Sequence, residues 1–317
     1  MKRIRLLPLL LALVLLLSAC GGQQRSQLER TADYLENMVP EPAFGSMAGD
    51  WIVFGLARSG VEAPKGYLEA YCENVEDYVR SADGRLTENT YTEYSRLILA
   101  WSAIGRDPRD VGGYNLLVPL ADQKRTEAQG VNGIIFAFLA LDCGGYEIPE
   151  NPEAEVQATR ESYLSALLRC QNDDGGWSLG GGSSDPDLTA MALQALAAYR
   201  SRDTVSQAVE RALSCLEGMQ EENGTFSSWG SESSESVCQV IVALTQLGLS
   251  PDDARFVKNG QTLEDVLLRY AQEDGGFAHL PDGGSDLLAT TQAFYALAAI
   301  ERSRAGKTAL YDMSDVM

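Results

Sequence analysis

The chain has 317 residues, 45% of them hydrophobic, and a formal net charge of −20. An apolar share of that size fills a sizeable core, as one large helical domain or two small ones. A chain so acidic repels phosphate backbones, which argues against nucleic acid as a partner.

At the N-terminus, Lys2, Arg3 and Arg5 precede the apolar run Leu6 to Leu17, and small residues then lead to Cys20 and Gly21. The run is too short to cross a hydrocarbon core of about 30 Å as a permanent helix. These parts resemble a lipoprotein signal peptide with its lipobox; an uncleaved membrane anchor is the alternative. The resemblance implies that residues 1–20 are the signal and lipobox, that Cys20 carries diacylglycerol on its sulfur, and that the rest is extracytoplasmic, tied to a bacterial membrane. Residues 21–27, polar and glycine-led, read as a tether. Residues 28–303 then form the folded domain and 304–317 a C-terminal tail.

Within the domain two kinds of helix alternate. Leu28, Ala32, Leu35 and Met38 mark an amphipathic helix before the apolar stretch Trp51 to Ala57, and the stretch from Tyr67 to Val79 precedes the apolar Leu97 to Ile104. A short helical stretch near Leu116 to Leu120 leads to the apolar helix Gly130 to Leu141. In the second half, Val205, Ala208, Val209, Ala212, Leu213, Leu216 and Met219 recur at three-and-four spacing, which is one buried stripe. The segments Thr189 to Leu196, Val240 to Leu244 and Ala293 to Ile300 are apolar on nearly every side and must be buried all round. Three turns separate the two kinds: Gln171 to Trp177, Gln220 to Phe226 and Gln272 to Phe277, each with glutamine, acidic or amide residues, glycine and then an aromatic. About six hairpins result. Two concentric layers, closed into an (α/α)6 toroid, bury the inner helices. The mature cysteines Cys72, Cys143, Cys170, Cys215 and Cys238 match neither a disulfide framework nor a zinc ribbon, and Cys170, Cys215 and Cys238 read as small core residues.

The stretch Gln171 to Trp177 looks like the QW motif of squalene and terpene cyclases, and residues 28 to 300 are similar to the terpenoid cyclase and protein prenyltransferase toroids. The stretch Asp187 to Ala192 also resembles the start of inner helices in the cobalamin carriers intrinsic factor and transcobalamin. These resemblances imply the toroid fold and leave activity open.

Aligned on their Ala-Leu pairs, the inner helices place Asn132, Asp187 and Glu235 at one mouth of the ring, with Leu288 at the matching place in the sixth repeat. Acids at helix N-termini satisfy free N–H groups and the dipole; polar groups converging on an apolar cavity also orient a ligand. Gln239, Gln292 and Asp286 join the candidate ligand set. By resemblance to class II cyclases, whose acid is the middle aspartate of Asp-x-Asp-Asp, Asp187 would be a catalytic acid with Asp185 as partner, but Leu188 replaces the last acid. The zinc ligands of prenyltransferases are missing: His279 is the chain's one histidine and reads as an ordinary loop residue. No metal is expected, and no cofactor beyond a corrinoid as bound ligand. The acidic turns 172–174 and 221–223 lack the spacing of a calcium loop.

The sequence thus reads as a lipid-anchored protein whose toroid binds a bulky apolar or corrinoid-like ligand without catalysis. The alternatives are a toroid enzyme acting on an isoprenoid or polysaccharide, and a cell-surface interaction scaffold. Because the Cys20 sulfur would accept the lipid, Cys20→Ala should abolish labelling by radioactive fatty acid and release the protein from membrane fractions; a variant still labelled would sink the lipobox reading.

Overall fold

The computed structural model describes residues 25–46 and 48–316. The expected signal segment, Cys20 and the start of the tether lie outside the described residues. Helices α1 (Gln27–Met38), α3 (Tyr67–Ser81), α5 (Gln123–Glu127), α7 (Arg160–Arg169), α9 (Asp203–Met219) and α11 (Leu263–Leu268) alternate with α2 (Gly49–Ser59), α4 (Thr92–Ala103), α6 (Gly130–Asp142), α8 (Pro186–Leu196), α10 (Ser234–Gln246) and α12 (Leu287–Arg304). The two sets differ as their sequences require. On α9 the buried residues are a single stripe, Val205, Ala208, Val209, Ala212, Leu213 and Leu216; on α10 every residue from Ser236 to Thr245 is buried. The even-numbered helices touch in the order α2, α4, α6, α8, α10, α12, and α12 returns to pack on α2 and α1. The result is a closed ring of six hairpins, an α/α toroid. Among the described residues no helix is long and apolar enough to cross a membrane.

The recurring turns tie each hairpin to the next. The amide of Gln171 donates to Gly175 O at 2.7 Å within its own turn and to Ala208 O on α9 at 2.8 Å. Gln220 repeats the pattern, donating to Gly224 O at 3.1 Å and to Phe256 O at 3.0 Å. Trp177, Phe226 and Phe277 are fully buried, and the Trp177 indole donates to Leu167 O at 2.9 Å. In the last turn the neighbour is α1, from the other end of the chain, and the donors change sides: Thr31 Oγ1 reaches Gly275 O at 2.9 Å and Gln27 Nε2 reaches it at 3.3 Å, while Gln272 bonds Tyr270 O. Gly275 has φ +95°, and a Cβ there would lie 2.5 Å from Arg30 O of α1. Only glycine lets the two ends of the ring approach so closely.

Three local features differ from the sequence reading. The helix expected near Leu116 to Leu120 is a 3₁₀ turn, Pro119–Ala121, followed by the short α5. Cys238 is buried as expected, but Cys170 caps α7 facing solvent and Cys215 is half-exposed, because both lie off the buried stripe of an outer helix. Residues 305–316, set off as a tail, pack under the ring. Leu310, Tyr311 and Met313 are buried, and Tyr311 stacks on Phe54 at 5.3 Å. The buried Arg58 donates to Leu310 O at 3.0 Å and to Asp315 at 2.8 Å, and Arg302 also grips Asp315.

Trp177→Ala should cost about 3–5 kcal/mol, the range for truncating a packed core aromatic. Gly275→Ala, on an unfavourable φ and against a backbone oxygen, should destabilise although it only adds a methyl group. Urea unfolding checks both, and midpoints equal to wild type would refute the closure role of these turns.

Candidate functional site

The inner helices all start on the same side of the ring, the side that carries the recurring turns. On α8, Asp185 is the N-cap and Pro186 the first helical residue, a favourable start. Asp185 Oδ1 accepts from the backbone N–H of Asp187 at 3.0 Å and of Leu188 at 3.1 Å, and Oδ2 accepts from Ser228 Oγ at 2.6 Å. Ser228 belongs to a hairpin formed by β1 (Ser227–Ser228) and β2 (Ser231–Glu232), so the cap of α8 is bolted to the next repeat. On α10, Ser233 caps the helix by accepting from Ser236 N at 3.2 Å. Ser234 donates through its backbone to His279 O at 3.1 Å and through its hydroxyl to Ala278 O at 2.8 Å. Those two bonds bring His279, beyond β3 (Phe277–Ala278), against Glu235.

Asp187 and Glu235 face a pocket of about 380 Å³ that His279, Gln292 and Trp229 also border. His279 Nδ1 lies 2.9 Å from both carboxylate oxygens of Glu235. Asp187 is half-buried, and its Oδ1 is sealed from solvent without a hydrogen-bond partner. Burial raises the Asp187 pKa to about 6, aided by the negative charges of Asp185 and Glu235 and opposed by the hydroxyls of Ser236 and Ser228. A carboxyl in this state gives up a proton near neutral pH.

Of the residues singled out from sequence, Asp187, Glu235 and Gln292 thus share one pocket, with Asp185 behind it as a cap. Gln239 is buried one layer deeper on the ring axis. Asn132, in the first turn of α6, is not among the lining residues. Asp286 is exposed and caps α12, accepting from Ala289 N at 2.9 Å. His279, read as an ordinary loop residue, sits on Glu235 through a contact between repeats that spacing along the chain does not reveal.

The opposite arc of the same mouth is neutralised. Asp50 in the first turn of α2 is buried, accepting from Tyr71 Oη and Arg96 Nε, each at 2.7 Å, and Arg96 also pairs with Glu93. Aligning the inner helices on their starts, rather than on their Ala-Leu pairs, would have found Asp50 and Glu93. Acids recur around the mouth, and the pair at Asp187 and Glu235 has no arginine.

The middle of the ring axis is filled by side chains, and a cavity of about 570 Å³ opens at the far end among Gln194, Thr245, Ala299 and Tyr311. Gln194 donates to Gln239 Oε1 at 2.9 Å, and Gln239 donates to Gln292 Oε1 and Tyr295 Oη, each at 2.8 Å. Trp51 from α2 meets Phe136 from α6 at 5.9 Å and Tyr295 at 6.0 Å. Among the described residues no group of three or more His, Cys, Asp or Glu side chains is arranged to hold a metal ion.

Comparison with known proteins bears on what this arrangement does. A 155-residue stretch is 32% identical to drimenyl diphosphate synthase of Streptomyces showdoensis, covering 47% of this chain and 28% of that protein. The chain therefore matches less than a third of that relative's length. Among solved structures it is similar to an unsaturated glucuronyl hydrolase from Bacillus sp. GL1, with TM-score 0.57, 14% identity and coverage of 91% of this chain and 97% of that one. It is also similar to a type II terpene cyclase from Scytonema, with TM-score 0.52, 13% identity and coverage of 88% and 97%. At those identities the structural likeness is one of fold. The expectation of a non-catalytic carrier for a bulky apolar or corrinoid-like ligand is corrected here: the sequence relative is a synthase, and side chains occupy the axis where such a ligand was expected. Residues 119–311 match the family of the prenyltransferase alpha-alpha toroid domain, and the chain belongs to that family.

Proposed function

We propose that the chain is an acid-catalysing enzyme of the class II terpene cyclase type, in which Asp187 protonates a carbon–carbon double bond of an isoprenoid substrate. The observation that carries this reading is the Asp187 carboxyl, sealed at Oδ1 without a partner and raised to about 6 at the mouth of the ring. General acids work best with a pKa near the operating pH. The sequence relation to a terpene diphosphate synthase supports the isoprenoid class. In the step, the Asp187 O–H bond breaks and a C–H bond forms at one alkene carbon; the adjacent carbon, left electron-deficient, is attacked by the next double bond, which passes the positive charge along the chain until the last cation loses a proton from a neighbouring carbon to water and leaves the product alkene. Asp187 remains as a carboxylate until it regains a proton.

Leu188 stands where class II cyclases carry a third acid. Glu235 supplies the second carboxylate from the neighbouring repeat, and its charge helps hold the proton on Asp187. His279 joins Glu235 to solvent. The N-terminal lipobox reading, also a proposal, would place this enzyme at an outer membrane face through Cys20, where apolar substrates partition.

Incubation with farnesyl diphosphate or squalene, followed by product analysis, tests the reading: wild type should give cyclised product and Asp187→Asn none. Turnover by that variant would overturn the acid assignment. Because the donor must be protonated, activity should be highest below pH 6 and fall about tenfold per pH unit above it.

Stability should follow the same proton. The folded-state pKa of about 6 exceeds the ordinary 3.8, so the contribution of protonated Asp187 is complete below about pH 4 and is lost as pH rises through 6. At neutral pH the buried charge costs on the order of 1–3 kcal/mol. Asp187→Asn should therefore melt higher than wild type at pH 7.5 and equal to it at pH 4.

A further inference from the structure

Protonating an alkene leaves an electron-deficient carbon that water would capture, so the reading above requires an apolar cover over Asp187. The pocket walls do not provide one, since serines, Glu235, His279 and Gln292 surround the acid. The one large apolar group on its border is Trp229.

Trp229 is unusual in two independent ways. Its side chain is 87% exposed, whereas Trp101 and Trp177 are buried and Trp51 is half-buried. It also occupies a backbone position that bulky residues avoid. Trp229 and Gly230 form the two-residue turn between β1 and β2, with φ of 52° and 86°. Positive φ at both positions is the type I′ hairpin turn, which favours asparagine and glycine. An exposed indole at a disfavoured φ costs stability twice, and backbone outliers of this kind cluster at ligand clamps and active sites. The base of the hairpin is held to the acid segment by the Ser228–Asp185 bond of 2.6 Å, and Trp229 at its tip borders the pocket. The corresponding turns of the repeats on either side also present apolar groups to solvent, Leu179 and Leu280, but neither borders the pocket of Asp187.

We propose that Trp229 closes over the substrate at Asp187, so that an apolar, unsaturated segment lies between the indole face and the acid. This rests on the protonation reading and adds to it a substrate-contacting residue and the chemistry it selects. The indole face is both apolar and electron-rich, so it excludes water and attracts developing positive charge. The hairpin tip is the element that moves.

The test uses the intact protein and its fluorescence, in which Trp229 is the most exposed of the four indoles. Acrylamide is the quencher, because iodide would be repelled by a chain of net charge −20. Saturating farnesyl diphosphate should shift the emission to the blue and cut acrylamide quenching several-fold, and Trp229→Phe should lose that response. Trp229→Asn suits the turn better than tryptophan, so its melting midpoint should hold or rise while KM increases at least tenfold and hydroxylated, water-captured products accumulate. Wild-type KM and products in Trp229→Asn, or quenching unchanged at saturation, would overturn the proposal and leave the acid assignment standing. Protection of Trp229 without turnover by wild type would overturn the acid assignment and leave the cover standing. If an unsaturated oligosaccharide protects Trp229 and farnesyl diphosphate does not, the apolar substrate class is wrong.

Discussion

A helix that is apolar on every face cannot rest against water, and this chain contains several. Helix α10, buried from Ser236 to Thr245, has neighbours on all sides only if α8 and α12 flank it and an outer helix covers it. The same demand applied around the chain leaves no free edge, so α12 must come back to α2. Closure of the ring is thus a consequence of burial, which dominates folding free energy. The hydrogen bonds of Gln171, Gln220 and the Gly275 turn fix how closely and in what register the hairpins meet.

Closure also decides where chemistry can sit. All six inner helices present their N-termini on one side, and acids gather there because free N–H groups and helix dipoles favour negative charge. Most of that charge is spent on structure. Asp50 and Glu93 are matched by Arg96, and Asp185 and Asp286 are helix caps. Asp187 is different because its neighbours on α10 and the β1–β2 hairpin bury it and supply another carboxylate rather than a cation. Burial raises both Asp50 and Asp187; what differs is that Asp50 is held by Tyr71 and Arg96, whereas Asp187 has an oxygen without a partner and a second carboxylate nearby.

The axis shows how a shared fold can serve different contents. Polar side chains from α8, α10 and α12 meet aromatic ones from α2 and α6 at the centre, so the interior is a packed core and the accessible volume lies at the ends. At the mouth, loops between repeats determine what is covered and what is wet. The turn lengths there vary while the buried aromatics Trp177, Phe226 and Phe277 do not, which separates the part of the repeat that holds the ring from the part free to change.

The fold was legible in the sequence because its signals are local: an amphipathic stripe such as Val205 to Met219, an all-apolar run such as Val240 to Leu244, and a turn of fixed composition between them. Hydrophobic period and turn chemistry act over a few residues, so they survive being read in one dimension. That Asp187 and Glu235 lie at one mouth was legible for the same reason, as repeated positions on repeated helices. Tertiary structure alone decided that His279 rests on Glu235, that Arg96 neutralises Asp50, that residues 305–316 pack beneath the ring, and that Asn132 and Asp286 stay out of the pocket. Those outcomes depend on contacts between repeats tens to hundreds of residues apart, and the electrostatics of a buried carboxyl are set by whatever those contacts bring beside it.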